Sequence, residues 1–324
     1  MKAAAWFLAA AAFAGSVAVA EAQDYPTRPV TIIVPFSAGG PTDTVSRLVA
    51  EAMSKDLGQQ VLIQNVGGAG GTLGAGQAAA AAPDGYTLLI HHIGMSTAPT
   101  LYRSLQFDPT QDFSPVGLIT AVPMTLVARK DFEPNTLEEL VAYIKENGED
   151  VIYANAGIGA ASHLCGMLFM SAMDAQMTTV PYQGTGPAMT DVIGGQVDMT
   201  CDQTTNTTSQ IQGGEVKAYA VTTPERLPTL PDLPTTAEAG LPDLDVTVWH
   251  GLYGPKGMPE EIVTKLTASL QTALKDETVM QRFAELGTEP VTDAEATPEA
   301  LSELLNAQIA QWKPIIEAAG VYAD

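Results

Sequence analysis

The feature that most constrains the fold is a strand that runs directly into a glycine turn and a helix start, in the sequence VTIIVPFSAGGPTDTVSRL (residues 30–48). The VTIIV segment has the composition of a buried strand, and Thr42 or Asp43 suits the N-cap or first turn of a helix. Such a unit directs backbone N–H groups and the positive end of a helix dipole at one point. The motif therefore predicts either an anion site or a tight turn that the glycines merely permit.

Strand and helix patterns alternate along the whole chain. Strands are predicted at residues 60–64 and 86–90, and a glycine turn and an alanine-rich helix separate them. This βαβαβ order is typical of a parallel sheet flanked by helices, which binds its ligand beyond the carboxyl ends of the strands. A second series with a similar glycine turn, NAGIGAASH (155–163), begins near residue 151. Two α/β lobes that share a cleft in this way would suit a ligand with two acidic ends.

Two apolar stretches connect the two series, VGLITAVPM (116–124) and VTVWHGL (246–252). Because the chain crosses at the first stretch and returns at the second, we expect discontinuous lobes. Lobe 1 is predicted to contain residues 24–122 together with 247–324, and lobe 2 residues 123–246. The hinge is expected at about 120–125 and 245–250, so that closure is a rotation of intact lobes.

The first 22 residues have the features of a secretory signal peptide. One early lysine precedes a short apolar run, and the small-residue site Ala20-Glu21-Ala22 predicts cleavage near Ala22. An apolar run this short would barely cross a bilayer, so we expect an exported protein without membrane insertion. Cys165 and Cys201 could form a disulfide in an oxidising compartment, but the sequence alone leaves this open.

Charge and motifs exclude several classes of function. Lys and Arg number 15 against 37 Asp and Glu, a net charge of −22, which argues against nucleic acid or an anionic membrane as partner. The glycine strings match neither the P-loop nor G-x-G-x-x-G, and no G-x-S-x-G motif occurs. His91 and His92 follow a strand directly, but adjacent side chains point to opposite sides and would not easily bind one metal ion. We therefore expect no catalytic residues, no metal and no cofactor.

Longer segments resemble the periplasmic receptors of tripartite tricarboxylate transporters, the Bug or TctC family. The resemblance rests on the 34–90 region, YANAGIGAASHLCGMLF, VPYQGTGPAMTDVIGGQVDM and WHGLYGPKGMP, which occur in the order of the family. It implies a two-lobed α/β periplasmic binding protein, a type II-like Venus flytrap with a mostly parallel sheet in each lobe. Such a protein is not an enzyme: it captures a di- or tricarboxylate in the periplasm and delivers it to the membrane components of the transporter.

The resemblance also implies which residues bind the ligand, largely through main-chain N–H groups and ordered water. The expected ligand-binding residues are Phe36, Ser37, Gly40, Thr42 and Asp43 in the first turn, Asn155, Gly157, Gly159, Ser162 and His163 in the second, and Tyr182, Gly184, Thr185 and Asp202 in later loops. Asp202 matches an acidic position that selects amino groups or hydroxyls in some members.

The sequence departs from the family at IHHIGMSTAP (residues 90–99), where small residues are usual. His91 and His92 could donate to a ligand carboxylate as imidazolium groups with a pKa near ~6.5, and could stack on a flat ring. This favours aromatic dicarboxylates such as terephthalate among the ligands. The alternatives are a sensory receptor that presents a carboxylate to a histidine kinase and, less favoured, a secreted enzyme. The protein is expected to be a monomer.

Overall fold

The structure is a computed structural model that describes residues 25–323. The predicted signal peptide and its cleavage site therefore lie outside the described residues. Within residues 25–323, no helix is both long enough and apolar enough to cross a membrane.

Strands and helices alternate as the sequence predicts. The strands are β1 (Val30–Val34), β2 (Val61–Asn65), β3 (Thr87–His92), β4 (Phe113–Arg129), β5 (Ile152–Asn155), β6 (Thr178–Pro181), β7 (Met199–Gln203), β8 (Val216–Val221) and β9 (Thr247–Pro255). The helices are α1 (Pro41–Leu57), α2 (Thr72–Ala79), α3 (Gly94–Leu101), α4 (Leu137–Asn147), α5 (Ala161–Met173), α6 (Thr185–Ile193), α7 (Thr204–Gln212), α8 (Glu260–Ala273), α9 (Glu277–Glu285) and α10 (Pro298–Ala319). Single turns of 3₁₀ helix lie at Ala69–Gly71 and Gly148–Asp150.

The strands are hydrogen-bonded in the order β2-β1-β3-β9-β4-β7-β5-β6, and β8 also pairs with β4. β1 is parallel to both β2 and β3, and β5 is parallel to both β6 and β7. The two predicted parallel series are thus present. Their carboxyl ends carry the loops that precede α1, α3, α5 and α7.

One long strand joins the two halves of the sheet. β4 has 17 residues, and its first part, up to Pro123, pairs with β9, whereas Met124–Ala128 pairs with β7. β9 lies between β3 and β4 and is antiparallel to both. The predicted crossing segment therefore lies in β4, and residues 247–252 of the predicted return segment lie in β9.

Buried apolar side chains fix the direction of α1. Val45, Val49 and Met53 are spaced four residues apart on one face of the helix and are fully buried. They belong to one core cluster with Ile32 of β1 and Leu88 of β3. Burial of each large side chain contributes roughly 1.5–3 kcal/mol. This packing holds the N-terminus of α1 at the carboxyl end of the sheet.

Cys165 of α5 and Cys201 of β7 form a disulfide. Their Cα atoms are 6.0 Å apart, and both residues are fully buried in the largest core cluster. The sequence left this pairing open, because it depends on a contact between a helix and a strand that lie 36 residues apart. The disulfide ties the helix that follows the second glycine turn to the strand that contains Asp202.

Candidate functional site

Four helices begin around one narrow, largely enclosed cavity of about 10 Å³, which has room for about one water molecule. The cavity is lined by Pro41 and Thr42 of α1, Ala160, Ala161 and Ser162 at the start of α5, Thr185 of α6, Gln203 before α7, and Phe36, His92, Ala156 and Asp202. In the described chain, no side chain caps the N-terminus of any of these four helices. Because the first N–H groups of a helix lack intrahelical acceptors and carry the positive end of its dipole, these N-termini give the cavity wall donors that suit an anion.

Hydrogen bonds to Asp43 hold the first glycine turn in shape. The Asp43 carboxylate accepts from Gly39 N at 2.9 Å, from the Arg47 guanidinium at 2.8 and 3.0 Å, and from Asn65 Nδ2 at 2.9 Å. Burial alone would raise the pKa of Asp43, but these hydrogen bonds keep it below its usual value. Asp43 is not among the residues that line the cavity, so its side chain braces the turn rather than facing a ligand.

The second glycine turn is built in the same manner from its own side chains. Ser162 Oγ accepts from Ala156 N at 2.8 Å, and Asn155 Oδ1 accepts from Gly157 N at 2.8 Å. His163 Nδ1 accepts from Gly159 N at 3.3 Å. Of these predicted site residues only Ser162 lines the cavity, while the others shape the turn.

Asp202 places a buried carboxylate in the wall of the cavity, as the sequence predicts for the end of its strand. It is 1% exposed, and its carboxylate accepts from Thr185 Oγ1 at 2.9 Å and from Asn206 Nδ2 at 2.6 Å. Burial raises the pKa of Asp202 to about 6, although its hydrogen bonds act in the opposite direction. An ionised Asp202 would attract a ligand hydroxyl or ammonium group and repel a ligand carboxylate.

Gln203 is a cavity residue that sequence reasoning missed. It is 2% exposed, and its Oε1 has no hydrogen-bond partner within the described residues. A buried unpaired acceptor typically costs about 1–3 kcal/mol, which a ligand donor would offset. The sequence signal that could have identified Gln203 was its position directly after Asp202, at the end of a buried strand.

The two adjacent histidines have different positions. His92 lines the cavity, whereas His91 lies outside its wall: an atom at the Cβ position of Gly71 would be only 2.9 Å from His91 Nε2. Nδ1 of His91 accepts from His92 N, and Nδ1 of His92 accepts from Gly94 N, so the proton of each neutral ring is on Nε2. One face of the His92 ring is covered by Phe36, with ring centroids 4.7 Å apart.

Burial of the two rings argues against the prediction that these histidines bind as imidazolium groups. Both are buried, and burial lowers the pKa of His91 to about 3 and the pKa of His92 well below its ordinary value. His250, a second residue that sequence reasoning missed, lies behind the cavity with Nε2 3.2 Å from Thr42 Oγ1. Burial lowers its pKa to about 3 as well. His92 is therefore a neutral donor through Nε2–H at pH 7.

Most of the remaining predicted residues lie where the loops of the two series meet. Ser37, Gly157 and Tyr182 line a wider opening outside the enclosed cavity. Ser37 N donates to Gln183 O at 2.9 Å, and the Tyr102 hydroxyl lies 2.7 Å from Ala69 O and 2.8 Å from Ile158 O. These contacts close the cavity on this side.

Two predicted glycines allow the loops of the two series to approach each other closely. A Cβ on Gly184 would lie 2.8 Å from Ser37 N, and one on Gly40 would lie 3.3 Å from Gly186 N. Neither glycine lines the cavity. The Tyr182 hydroxyl donates to Asp191 at 2.7 Å and is likewise not part of the cavity wall.

Two α/β halves whose loops meet around a cavity lined by helix N-termini have the architecture of a periplasmic solute-binding protein. The model of the family described as "Tripartite tricarboxylate transporter family receptor" matches residues 45–321. The chain belongs to this family, as the sequence resemblance indicated. Members are solute-binding receptors of the periplasm rather than enzymes.

Solved structures of the same family are closely similar. The periplasmic binding protein BugD has a TM-score of 0.90 and 52% identity, over 92% of this chain and 99% of that chain. MatC from Rhodopseudomonas palustris, with bound malate, has a TM-score of 0.88 and 42% identity, over 90% of this chain and 100% of that chain. Rpa4515 from R. palustris, with adipate, has a TM-score of 0.87 and 34% identity, over 92% of this chain and 99% of that chain. These similarities confirm the predicted two-lobed binding-protein fold.

Proposed function

We propose that the protein captures a small dicarboxylate at this narrow cavity, which widens to admit the ligand when the two halves open, and delivers it to the membrane components of a tripartite tricarboxylate transporter. The observation that carries this proposal is the meeting of four uncapped helix N-termini at one cavity. None of the described residues that line it is Lys or Arg, so main-chain N–H groups and neutral side chains would hold the anion. Malate in MatC and adipate in Rpa4515 support a carboxylate as the ligand.

Within this class, we favour an aliphatic dicarboxylate that carries a hydroxyl group. Asp202 and the unpaired Gln203 Oε1 are acceptors in a cavity that otherwise presents donors, and a ligand hydroxyl would satisfy one of them. The case for terephthalate rested on two imidazoles that stack on the ligand. His91 does not line the cavity and Phe36 covers one face of His92, so that argument is weaker.

We also propose that the lobes are those predicted: residues 24–122 with 247–324, and residues 123–246. In support, β9 pairs with β3, while α8 and α10 contact α1 and α3 respectively. Export through a signal peptide cleaved near Ala22 is part of the same proposal. Mass spectrometry of the mature N-terminus would test it.

A thermal-shift screen tests the proposed ligand class. The panel contains malate, succinate, adipate, citrate and terephthalate. A ligand at a hundred times its Kd adds about 2.7 kcal/mol to the free energy of unfolding, so we expect a clear rise in Tm with malate and a smaller one with the others. No shift with any member would contradict the proposal.

The same screen should be run on a matched pair of variants. Gln203→Glu places a carboxylate in the cavity wall, and Gln212→Glu makes the same change at the exposed end of α7. Since like charges brought together cost several kcal/mol, Gln203→Glu should weaken malate binding by more than about a hundredfold. Gln212→Glu should bind as the wild type does. Equal affinities of the two variants would place the ligand elsewhere.

Delivery is tested in cells that take up labelled malate. Deletion of the gene should abolish uptake, and the Gln203→Glu variant should fail to restore it. Uptake that persists without the protein, together with tight binding in vitro, would favour a sensory role instead.

A further inference from the structure

A buried tyrosine connects two walls of the cavity. Tyr153 of β5 is 1% exposed, and its hydroxyl donates to Ser162 O at 2.6 Å and accepts from Cys201 N at 3.1 Å. Ser162 belongs to the first turn of α5 and lines the cavity, and Cys201 directly precedes Asp202, which lines it from another side. One hydroxyl group therefore bridges the helix N-terminus and the strand end.

The Tyr153 hydroxyl group continues the contact between β5 and β7 beyond the last paired residues of the two strands. β5 and β7 pair through Tyr153 with Met199 and through Ala154 with Thr200, and Cys201 lies one residue beyond the last pair. Its N–H group meets the phenol oxygen of Tyr153 at that point. The end of β7 is thus held by the same side chain that holds the start of α5.

The surrounding residues fit the ring closely. A Cβ on Gly166 would lie 2.4 Å from Tyr153 Cε1 and 2.7 Å from its hydroxyl oxygen, so the ring packs directly on the backbone of α5. The disulfide between Cys165 and Cys201 joins the same two elements next to it. Tyr153 is consequently packed in one position, with its hydroxyl facing both partners.

We propose that Tyr153 is a positioning residue: it sets the separation between the N-terminus of α5 and the carboxylate of Asp202, and thereby the affinity of the cavity for its ligand. This inference rests on the proposed function. The physical reason is that donors and acceptors bind well only where supporting hydrogen bonds hold them in the productive geometry. Tyr153 itself does not line the cavity, so its effect on a ligand acts through Ser162 and Asp202.

A matched pair of Tyr→Phe variants separates positioning from stability. Tyr219 is also buried, at 2% exposed, and its hydroxyl donates to Pro134 O at 2.9 Å in a part of β8 that does not line the cavity. Tyr153→Phe and Tyr219→Phe each remove one buried hydroxyl group and should lower Tm, the first by more because the Tyr153 hydroxyl makes two hydrogen bonds and the Tyr219 hydroxyl one. Only Tyr153→Phe should weaken malate binding in calorimetry, by about tenfold, as loss of an outer supporting partner typically does.

Amide hydrogen exchange gives a readout that needs no ligand. In Tyr153→Phe, the amides at residues 160–164 and at Cys201 should exchange faster relative to the rest of the chain, and in Tyr219→Phe they should not. Gly166→Ala, which pushes the ring away from α5, should reproduce both effects. Unchanged exchange at these amides in Tyr153→Phe, or wild-type affinity for malate together with a lowered Tm, would overturn the inference. If the wild type binds no member of the carboxylate panel, the proposed function fails, while the exchange data still decide whether Tyr153 holds the two elements.

Discussion

At the scale of single residues, we expect the protonation state of Asp202 to decide which ligand the cavity prefers. Burial raises its pKa to about 6, so the carboxyl group changes charge within the range in which binding is measured. The ionised form accepts a hydrogen bond from a ligand hydroxyl. The protonated form no longer repels a ligand carboxylate and can donate to it.

Malate and succinate, which differ by one hydroxyl group, should therefore respond differently to pH. As the pH rises through about 6, Asp202 ionises and the preference for malate over succinate should increase. A charge-assisted hydrogen bond contributes about 1.5–3 kcal/mol, so the ratio of the succinate Kd to the malate Kd should rise by roughly ten- to a hundredfold. Calorimetry with both ligands between pH 5 and 8 measures this ratio. Asp202→Asn is the control, in which the ratio should not change with pH. A ratio that is constant in the wild type would show that the ligand hydroxyl does not contact Asp202.

The histidines show what sequence reasoning cannot see at this scale. The sequence predicts a strand at residues 86–90 that precedes His91 and His92, and this strand is present as β3, which extends through both histidines. The charge of the two rings depends on burial by Phe36, Gly71 and His250, which come from distant parts of the chain. For the same reason His250 and Gln203 were missed, since nothing local distinguishes them from ordinary strand residues.

At the scale of elements, the glycines of the turns allow the loops of the two halves to approach each other closely. Gly157 has a φ of +98°, and a Cβ there would lie 2.9 Å from Gly70 N in the turn of the other half. Gly195 has a φ of +69°, but a Cβ there would meet nothing within 4 Å. Substitution of either glycine therefore strains the backbone, because both have a positive φ. Only a substitution of Gly157 would also bring the new side chain too close to another part of the chain.

Gly157→Ala should weaken malate binding, and Gly195→Ala should leave it unchanged. Each should lower the free energy of unfolding by roughly 1–2 kcal/mol, because an L-residue is strained at positive φ. The extra methyl group at residue 157 should oppose the contact with Gly70 at a cost of about 1–3 kcal/mol, or roughly five- to a hundredfold in Kd. Calorimetry and chemical denaturation of both variants test this. Equal Kd values would show that the two turns need not touch when ligand is bound.

Elements were predicted well where the signal is local and less well at their ends. The helix after the first turn begins at Pro41, one residue before the predicted Thr42, because proline suits the first helical position. β4 continues through Pro123, although proline has no N–H group for strand pairing. This residue lies where β4 stops pairing with β9 and begins to pair with β7, a change that only the assembled sheet reveals.

At the scale of the whole molecule, β4 and β9 are the segments that join the two halves of the sheet. If they form the hinge, the halves should move as intact bodies when ligand binds. Saturating malate should then lower the radius of gyration in small-angle scattering of the wild type, and should leave the Gln203→Glu variant unchanged. Identical scattering curves of the wild type with and without malate would contradict closure by lobe rotation.

The helix N-termini around the cavity have a consequence for how this protein could change its substrate. The donors that they supply belong to the main chain, and only substitution by proline would remove one of them. Substitutions of Thr185, Asp202 or Gln203 would change the shape and the acceptors of the cavity while those donors persist. Proteins that evolve from this one can therefore change to a different carboxylate ligand through intermediates that each still bind some carboxylate.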